Sequence, residues 1–102
     1  MQIVFGHDAA RLAPIVERCF ARAEDFTACD TPPELPAAPA AGLSLGMGQA
    51  QVAVVASTVS TYEIAAHSRT GSTFTLARDA AGTVRRTCTP ADTGDCGRDG
   101  TW

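Results

Sequence analysis

The sequence predicts an α+β domain in which one helix packs on an antiparallel sheet. Apolar residues recur every three or four positions near the N-terminus, and every two positions between residues 51 and 88. Short turns separate the runs with the two-residue period. The chain has 102 residues, 45% hydrophobic and 19% charged, which fits one globular domain over residues 1–102.

The N-terminal helix is predicted over residues 8–25 and is amphipathic. Its apolar positions are Leu12, Ile15, Val16, Cys19, Phe20 and Ala23. Asp8 is the expected N-cap. Pro14 is expected either to kink the helix or to mark its first turn.

Residues 30–50 are expected to form an extended connector. Prolines stand at positions 32, 33, 36 and 39, and proline lacks the N–H group that helices and sheets use. Gly46 and Gly48 then mark the passage to the sheet. We therefore expect neither a helix nor a strand in this segment.

Four strands are predicted in the sheet region, residues 51–88. They cover residues 51–56, 61–68, 73–78 and 83–88. Because their separators are too short for a parallel crossover, the strands must form an antiparallel meander. Alternation gives a face that buries against the helix, with Tyr62, Ile64, Ala66, Phe74 and Leu76. The opposite face carries Glu63, His67 and Arg85, with Arg78 and Arg86 at strand ends or edges.

The four cysteines allow three disulfide connectivities. Pairing in sequence order, Cys19 with Cys29 and Cys88 with Cys96, closes two short loops and is favoured; four reduced thiols are the alternative. Neither pair has the spacing of a zinc ribbon. Disulfides indicate an oxidising compartment and hence export. The second bridge would hold the loop of residues 89–102, whose Trp102 is expected either to pack over the sheet or to meet a neighbour.

Several activities are disfavoured by composition and motifs. The chain has no lysine and no asparagine, and its net charge is -3 with scattered arginines, so nucleic acid is not an expected partner. No phosphate-binding, dinucleotide-binding or hydrolase motif is present. A Cys–His or Ser–His hydrolase with His67 as its base is disfavoured, because His67 is expected on the solvent face of a strand and the cysteines are better explained as disulfides. We expect no catalytic residue and no cofactor.

Three aspartates crowd the last loop, at Asp92, Asp95 and Asp99. Oxygen-rich glycine loops can bind calcium, but this spacing is not that of an EF-hand. A solvated turn, with Arg98 neutralising part of the charge, is the favoured interpretation. Calcium binding is kept as the weaker alternative, and no metal site is predicted.

Five stretches in this order, together with the two cysteine pairs, resemble the globular domain of type IV pilins. They are residues 16–20 (VERCF), 25–30 (DFTACD), 62–76 (YEIAAHSRTGSTFTL), 82–88 (GTVRRTC) and 96–102 (CGRDGTW). The likeness is closer to the pilin-like proteins of Gram-positive actinobacteria, and it covers most of residues 16–102.

This resemblance implies an extracellular structural subunit of a cell-surface filament that serves adhesion, motility or DNA uptake. Pilins assemble, and reach the membrane, through an apolar N-terminal helix that nothing in this sequence matches. We therefore expect the chain as given to be a monomer. A type II secretion pseudopilin and a stand-alone secreted binding module, stabilised by disulfides, are the alternatives.

Overall fold

The architecture is one long helix on a four-stranded antiparallel sheet. The computed structural model describes residues 5–69, 71–91 and 96–102. The elements are α1 (Phe5–Ala23), α2 (Ala37–Ala40), β1 (Gln51–Ser57), β2 (Tyr62–His67), β3 (Thr73–Arg78) and β4 (Val84–Thr89). The strand order is β1-β2-β3-β4, and each strand pairs antiparallel with the next. The predicted α+β class, long helix and antiparallel meander are confirmed.

Helix α1 differs from its predicted bounds. It begins at Phe5 and ends at Ala23, so Asp8 lies in its first turn and is not the N-cap. The Asp8 carboxylate lies 3.8 Å from the guanidinium of Arg11. Pro14 lies inside the helix on its exposed side, and the helix continues through it. Glu24 ends the helix because its φ of 58° is left-handed. The described residues include no helix that is long and apolar enough to cross a membrane.

The prediction that the connector contains no helix is wrong, because the connector contains two single-turn helices. One is a 3-10 turn at Pro32–Glu34, and the other is α2 at Ala37–Ala40. Proline fits here because each helix is only a first turn, where backbone N–H groups have no intrahelical acceptor. Thr31 and Glu34 form a capping box, with the Glu34 carboxylate accepting from the Thr31 amide at 3.1 Å.

The core lies between α1 and one face of the sheet. Ala9, Leu12 and Val16 of α1 are fully buried. The sheet residues that alternation assigned to this face are all at most 3% exposed: Tyr62, Ile64, Ala66, Phe74 and Leu76. Their burial confirms the predicted helix-facing side of the sheet. The apolar face of α1 is therefore buried against the sheet.

Two disulfides close the two ends of the fold. Cys19 of α1 is bonded to Cys29, and Cys88 of β4 is bonded to Cys96. These are the pairings that the sequence analysis favoured. The first bond holds the end of α1 against the start of the connector, and the second holds the end of β4 against the C-terminal tail.

Replacing Cys88 and Cys96 by serine should loosen the C-terminal tail before the sheet. We expect a loss of about 2 to 3 kcal/mol in the free energy of unfolding, since the variant removes one short covalent loop. Trp102 is the only tryptophan, so its fluorescence should shift to the red in the variant. Hydrogen exchange of β2 and β3 should stay slow. The matched control, serine at Cys19 and Cys29, should leave the emission of Trp102 unchanged, and equal exchange in all four strands of the first variant would contradict the prediction.

Candidate functional site

Three aromatic rings and an arginine meet where α1 ends on the sheet. The Phe20 and Phe26 rings are stacked with centres 4.1 Å apart, and the Tyr62 ring lies 4.9 Å from that of Phe26. Phe26 is brought there by the 3-10 turn Phe26–Ala28, which Asp25 caps by accepting from the Thr27 amide at 2.9 Å. The guanidinium of Arg78 sits 5.0 Å from the centre of the Phe26 ring.

One carboxylate oxygen joins this cluster to the helix. Glu17 Oε2 accepts a hydrogen bond from the Tyr62 hydroxyl at 3.1 Å and lies 3.3 Å from Arg78 Nε. Arg78 also donates to the Ser60 carbonyl at 2.9 Å. The arginine therefore binds both the helix and the β1–β2 turn. We call Glu17, Phe20, Phe26, Tyr62 and Arg78 the aromatic cluster.

The Tyr62 hydroxyl is held neutral. Burial raises its pKa above the usual value, and the charge of Glu17 and the hydrogen bond to it raise this pKa further, while Arg78 acts in the opposite direction. A tyrosine with a raised pKa is a poor base and a poor nucleophile at neutral pH. Through its hydrogen bond to Glu17, this hydroxyl links the sheet to α1.

A groove of about 320 Å³ opens beside the aromatic cluster, at the end of the sheet where both hairpins turn. We call it the hairpin groove. Its walls come from the β1–β2 turn (Ser57, Thr58, Thr61) and from the β3–β4 turn (Asp79, Thr83), and its floor from Ala56, Tyr62, Glu63, Ala77, Arg78 and Arg85.

Most polar groups of the hairpin groove are already bonded within the domain. The hydroxyls of Thr58 and Thr61 bond each other, and Ser57 donates to Asp30 at 2.7 Å. Asp79 accepts from the amides of Ala81 and Thr83. These bonds stiffen the two turns, and they leave the groove few groups to offer a ligand.

Two charged side chains of the hairpin groove, Glu63 and Arg85, differ from these bonded polar groups. Glu63 and Arg85 are both in register with Ala77, one on each neighbouring strand, so the small alanine separates them. Among the described residues neither takes part in an ion pair. The groove can therefore present one negative and one positive group, about 10 Å apart by the strand spacing, to a polar partner.

The histidine that the sequence offered as a base lies elsewhere. His67 is the last residue of β2 and Tyr62 the first, so about 17 Å of strand separates His67 from the hairpin groove. Its Nδ1 is 3.4 Å from the Thr73 hydroxyl. No described acidic side chain bonds His67, and all four cysteines are in disulfides. Within the described ranges, the geometry brings together no nucleophile, base and orienting carboxylate.

The calcium alternative concerns residues that are only partly described. Asp92 and Asp95 lie outside the described residues, whereas Asp99 accepts from the Thr101 hydroxyl at 2.6 Å and from its amide. These bonds lower the pKa of the Asp99 carboxyl. The described residues contain no cluster of three acidic, histidine or cysteine side chains that could hold a metal ion.

Trp102 packs back over the sheet, which is one of its two expected positions. Its ring meets Phe74 edge to face at 6.1 Å, and its indole N–H donates to the Thr75 and Thr87 carbonyls at 3.1 and 2.8 Å. The guanidinium of Arg86 lies over the Trp102 ring, 4.8 Å from the ring centre. The tail thus reaches the part of the sheet next to β4.

Comparison with protein-family models, with curated proteins and with solved structures finds no match for this chain.

The buried Tyr62 should make the domain less stable above pH 10. In the unfolded chain this hydroxyl ionises near pH 10, whereas in the folded chain its pKa is higher. Above pH 10 the unfolded state thus binds fewer protons, and the free energy of unfolding should fall by up to about 1.4 kcal/mol per pH unit.

This alkaline loss can be measured without interference from other side chains. Tyr62 is the only tyrosine and lysine is absent, so absorbance at 295 nm and urea unfolding between pH 9 and 12 report on one group. Tyr62→Phe should abolish the slope and cost about 1 kcal/mol at pH 7 through the lost hydrogen bond. A Tyr62 that ionises near pH 10 in the folded domain would refute the prediction.

Proposed function

We infer that this chain is the exported globular headgroup of a type IV pilin-like filament subunit, of the kind found in Gram-positive actinobacteria. The observation that carries this proposal is the arrangement of the elements. One long N-terminal helix lies across a four-stranded antiparallel meander, and a disulfide fastens the last strand to the C-terminal tail. The bonded cysteines fit an oxidising, extracellular compartment.

The contacts of α1 suit a headgroup that carries load. A force entering along α1 reaches the sheet through the buried Leu12 and Val16 and through the ion pair between Glu17 and Arg78. The bond from Cys19 to Cys29 then passes it to the connector covalently. A domain of this size has a small core, so covalent links of this kind are an effective way to keep it folded.

The filament itself would depend on contacts outside this domain. In the proposed role, an apolar helix preceding the headgroup would hold the subunit in the membrane and later form the filament core with other subunits. The headgroups would meet only through polar surfaces, which bind weakly as single pairs and strongly when many act together. The role is structural, and no reaction is assigned to it.

The hairpin groove favours a second candidate, a stand-alone secreted binding module. Glu63 and Arg85, which form no ion pair in the described part of the chain, place charges of both signs at one end of the sheet. A type II secretion pseudopilin shares the headgroup architecture and differs from the leading proposal in its location.

Immunogold electron microscopy of the organism that encodes this chain should distinguish these roles. Antibodies raised against the folded domain should label thin surface filaments along their length, and deletion of the gene should remove the label. Label found only in the culture medium would contradict the filament role and favour the binding module. Label confined to the cell envelope, without filaments, would favour the pseudopilin.

The domain alone should be a monomer. The apolar stripe of α1 already covers the sheet, and large apolar residues exposed elsewhere are scattered, such as Met47, Val59 and Val84. Sedimentation at tens of micromolar should therefore report about 11 kDa, consistent with the chain mass of 10.6 kDa. A stable dimer at this concentration would show that one of these surfaces is an interface.

A further inference from the structure

No described strand pairs with the outer edge of β4. Cys88 donates its amide to the Gly100 carbonyl at 2.7 Å, so its N–H points away from β3. Because the direction of backbone groups alternates along a strand, Arg86 and Val84 also point their N–H and C=O groups outward. In the described part of the chain, no backbone hydrogen bond reaches these outward groups.

The opposite edge of the sheet is protected. Val52 of β1 accepts from the Gly46 amide at 3.1 Å and donates to the Ser44 carbonyl at 2.9 Å. Beyond it, a bulge between Val54 and Ala56 breaks the register, and bulges are one means by which proteins block edge pairing. β4 has six paired residues without a bulge. The two edges therefore differ, and β4 is the one that can accept another strand.

Positive charge marks this open edge. Arg85 and Arg86 are both exposed and point to opposite faces of the sheet, since they are adjacent in a strand. Among the described residues, no acidic side chain forms an ion pair with either arginine. Asp79 and Asp99 accept hydrogen bonds within their own turns, and Glu63 lies two strands away from Arg85.

We propose that the β4 edge binds an extended acidic segment of a partner protein, which adds to the sheet as a fifth strand. The outward groups of Val84 and Arg86 would bond the backbone of this segment. Two successive acidic residues would meet Arg85 on one face and Arg86 on the other. The added strand would end beside Cys88, whose outward N–H is already bonded to Gly100.

A second copy of this chain is not the occupant. Two β4 strands related by a two-fold axis would bring arginines together across the new pair, and like charges placed opposite each other destabilise a sheet. The proposed partner is therefore a different, acidic chain. Its binding does not depend on whether the domain belongs to a filament.

The test uses nuclear magnetic resonance with the full chain and the peptide acetyl-Thr-Val-Glu-Glu-Val-Thr-amide. Saturable shifts are expected at the amides of Val84 and Arg86 and at the indole of Trp102, on which Arg86 lies. Arg86→Pro should weaken binding about tenfold more than Arg86→Gln, since both variants lose the charge and only proline loses the outward N–H. Proline is tolerated at an edge position whose backbone nitrogen faces away from the sheet.

Peptide variants keep the test decisive if Arg86→Pro fails to fold. Two forms of the peptide, each N-methylated on alternate residues but in opposite phase, should differ: the form methylated on the residues that face β4 should lose binding, and the other should keep it. A peptide with lysine in place of glutamate should not bind. Equal binding of both methylated forms would show plain charge attraction and overturn strand addition. Absence of shifts at β4, or shifts of the same amides on concentrating the protein alone, would also overturn the proposal.

Discussion

The structure depends on one mismatch of size: a single helix is narrower than the sheet that it covers. A helix with its side chains is about 10 Å wide, whereas four strands spaced about 4.8 Å apart place their outer axes about 14 Å apart. α1 packs mainly on the two central strands, β2 and β3. The outer strands must therefore be covered by segments other than α1. In β4, Cys88 is the one buried residue.

The two disulfides and the tail serve the regions that α1 cannot reach. On the β1 side, the connector contributes Leu35, Ala38 and Leu43 to the core, and Leu45 of the connector forms a bridge with Val52 of β1. On the β4 side, Trp102 packs on Phe74 and donates to two strand carbonyls. The bond from Cys88 to Cys96 keeps this tail close to the strand it covers. Covalent links thus stand where the apolar surface is smallest, which is how small exported domains compensate for a limited core.

The periodic parts of the fold were predictable because each periodicity maps directly onto a face. Tyr62, Ile64 and Leu76 are buried as alternation requires, and the short separators leave the meander as the only connection. The bounds of α1 and the single-turn helices of the connector were not predictable, since local capping decides them.

The aromatic cluster was missed for a different reason. Phe26 and Arg78 stand far apart in sequence, and they meet because a 3-10 turn carries Phe26 back over the helix end while the register places Arg78 opposite Tyr62. The hairpin groove likewise forms only because both hairpins turn at the same end of the sheet. Neither the aromatic cluster nor the hairpin groove can be predicted from the spacing of residues along the chain. Glu17 on the flank of the helix and a tyrosine at the start of a strand are consistent with the contact that forms.

The last hairpin shows how the same residue type can serve the interior and the surface. Arg78 is neutralised by Glu17 and lies against aromatic rings, so its charge is used inside the domain. Arg85 and Arg86 have no acidic partner among the described residues. The domain as a whole has a net charge of -3, yet charges are screened over about 8 Å at physiological ionic strength. A partner approaching β4 therefore experiences the local positive edge and not the net charge, which makes this edge selective for acidic strands and unfavourable for its own copy.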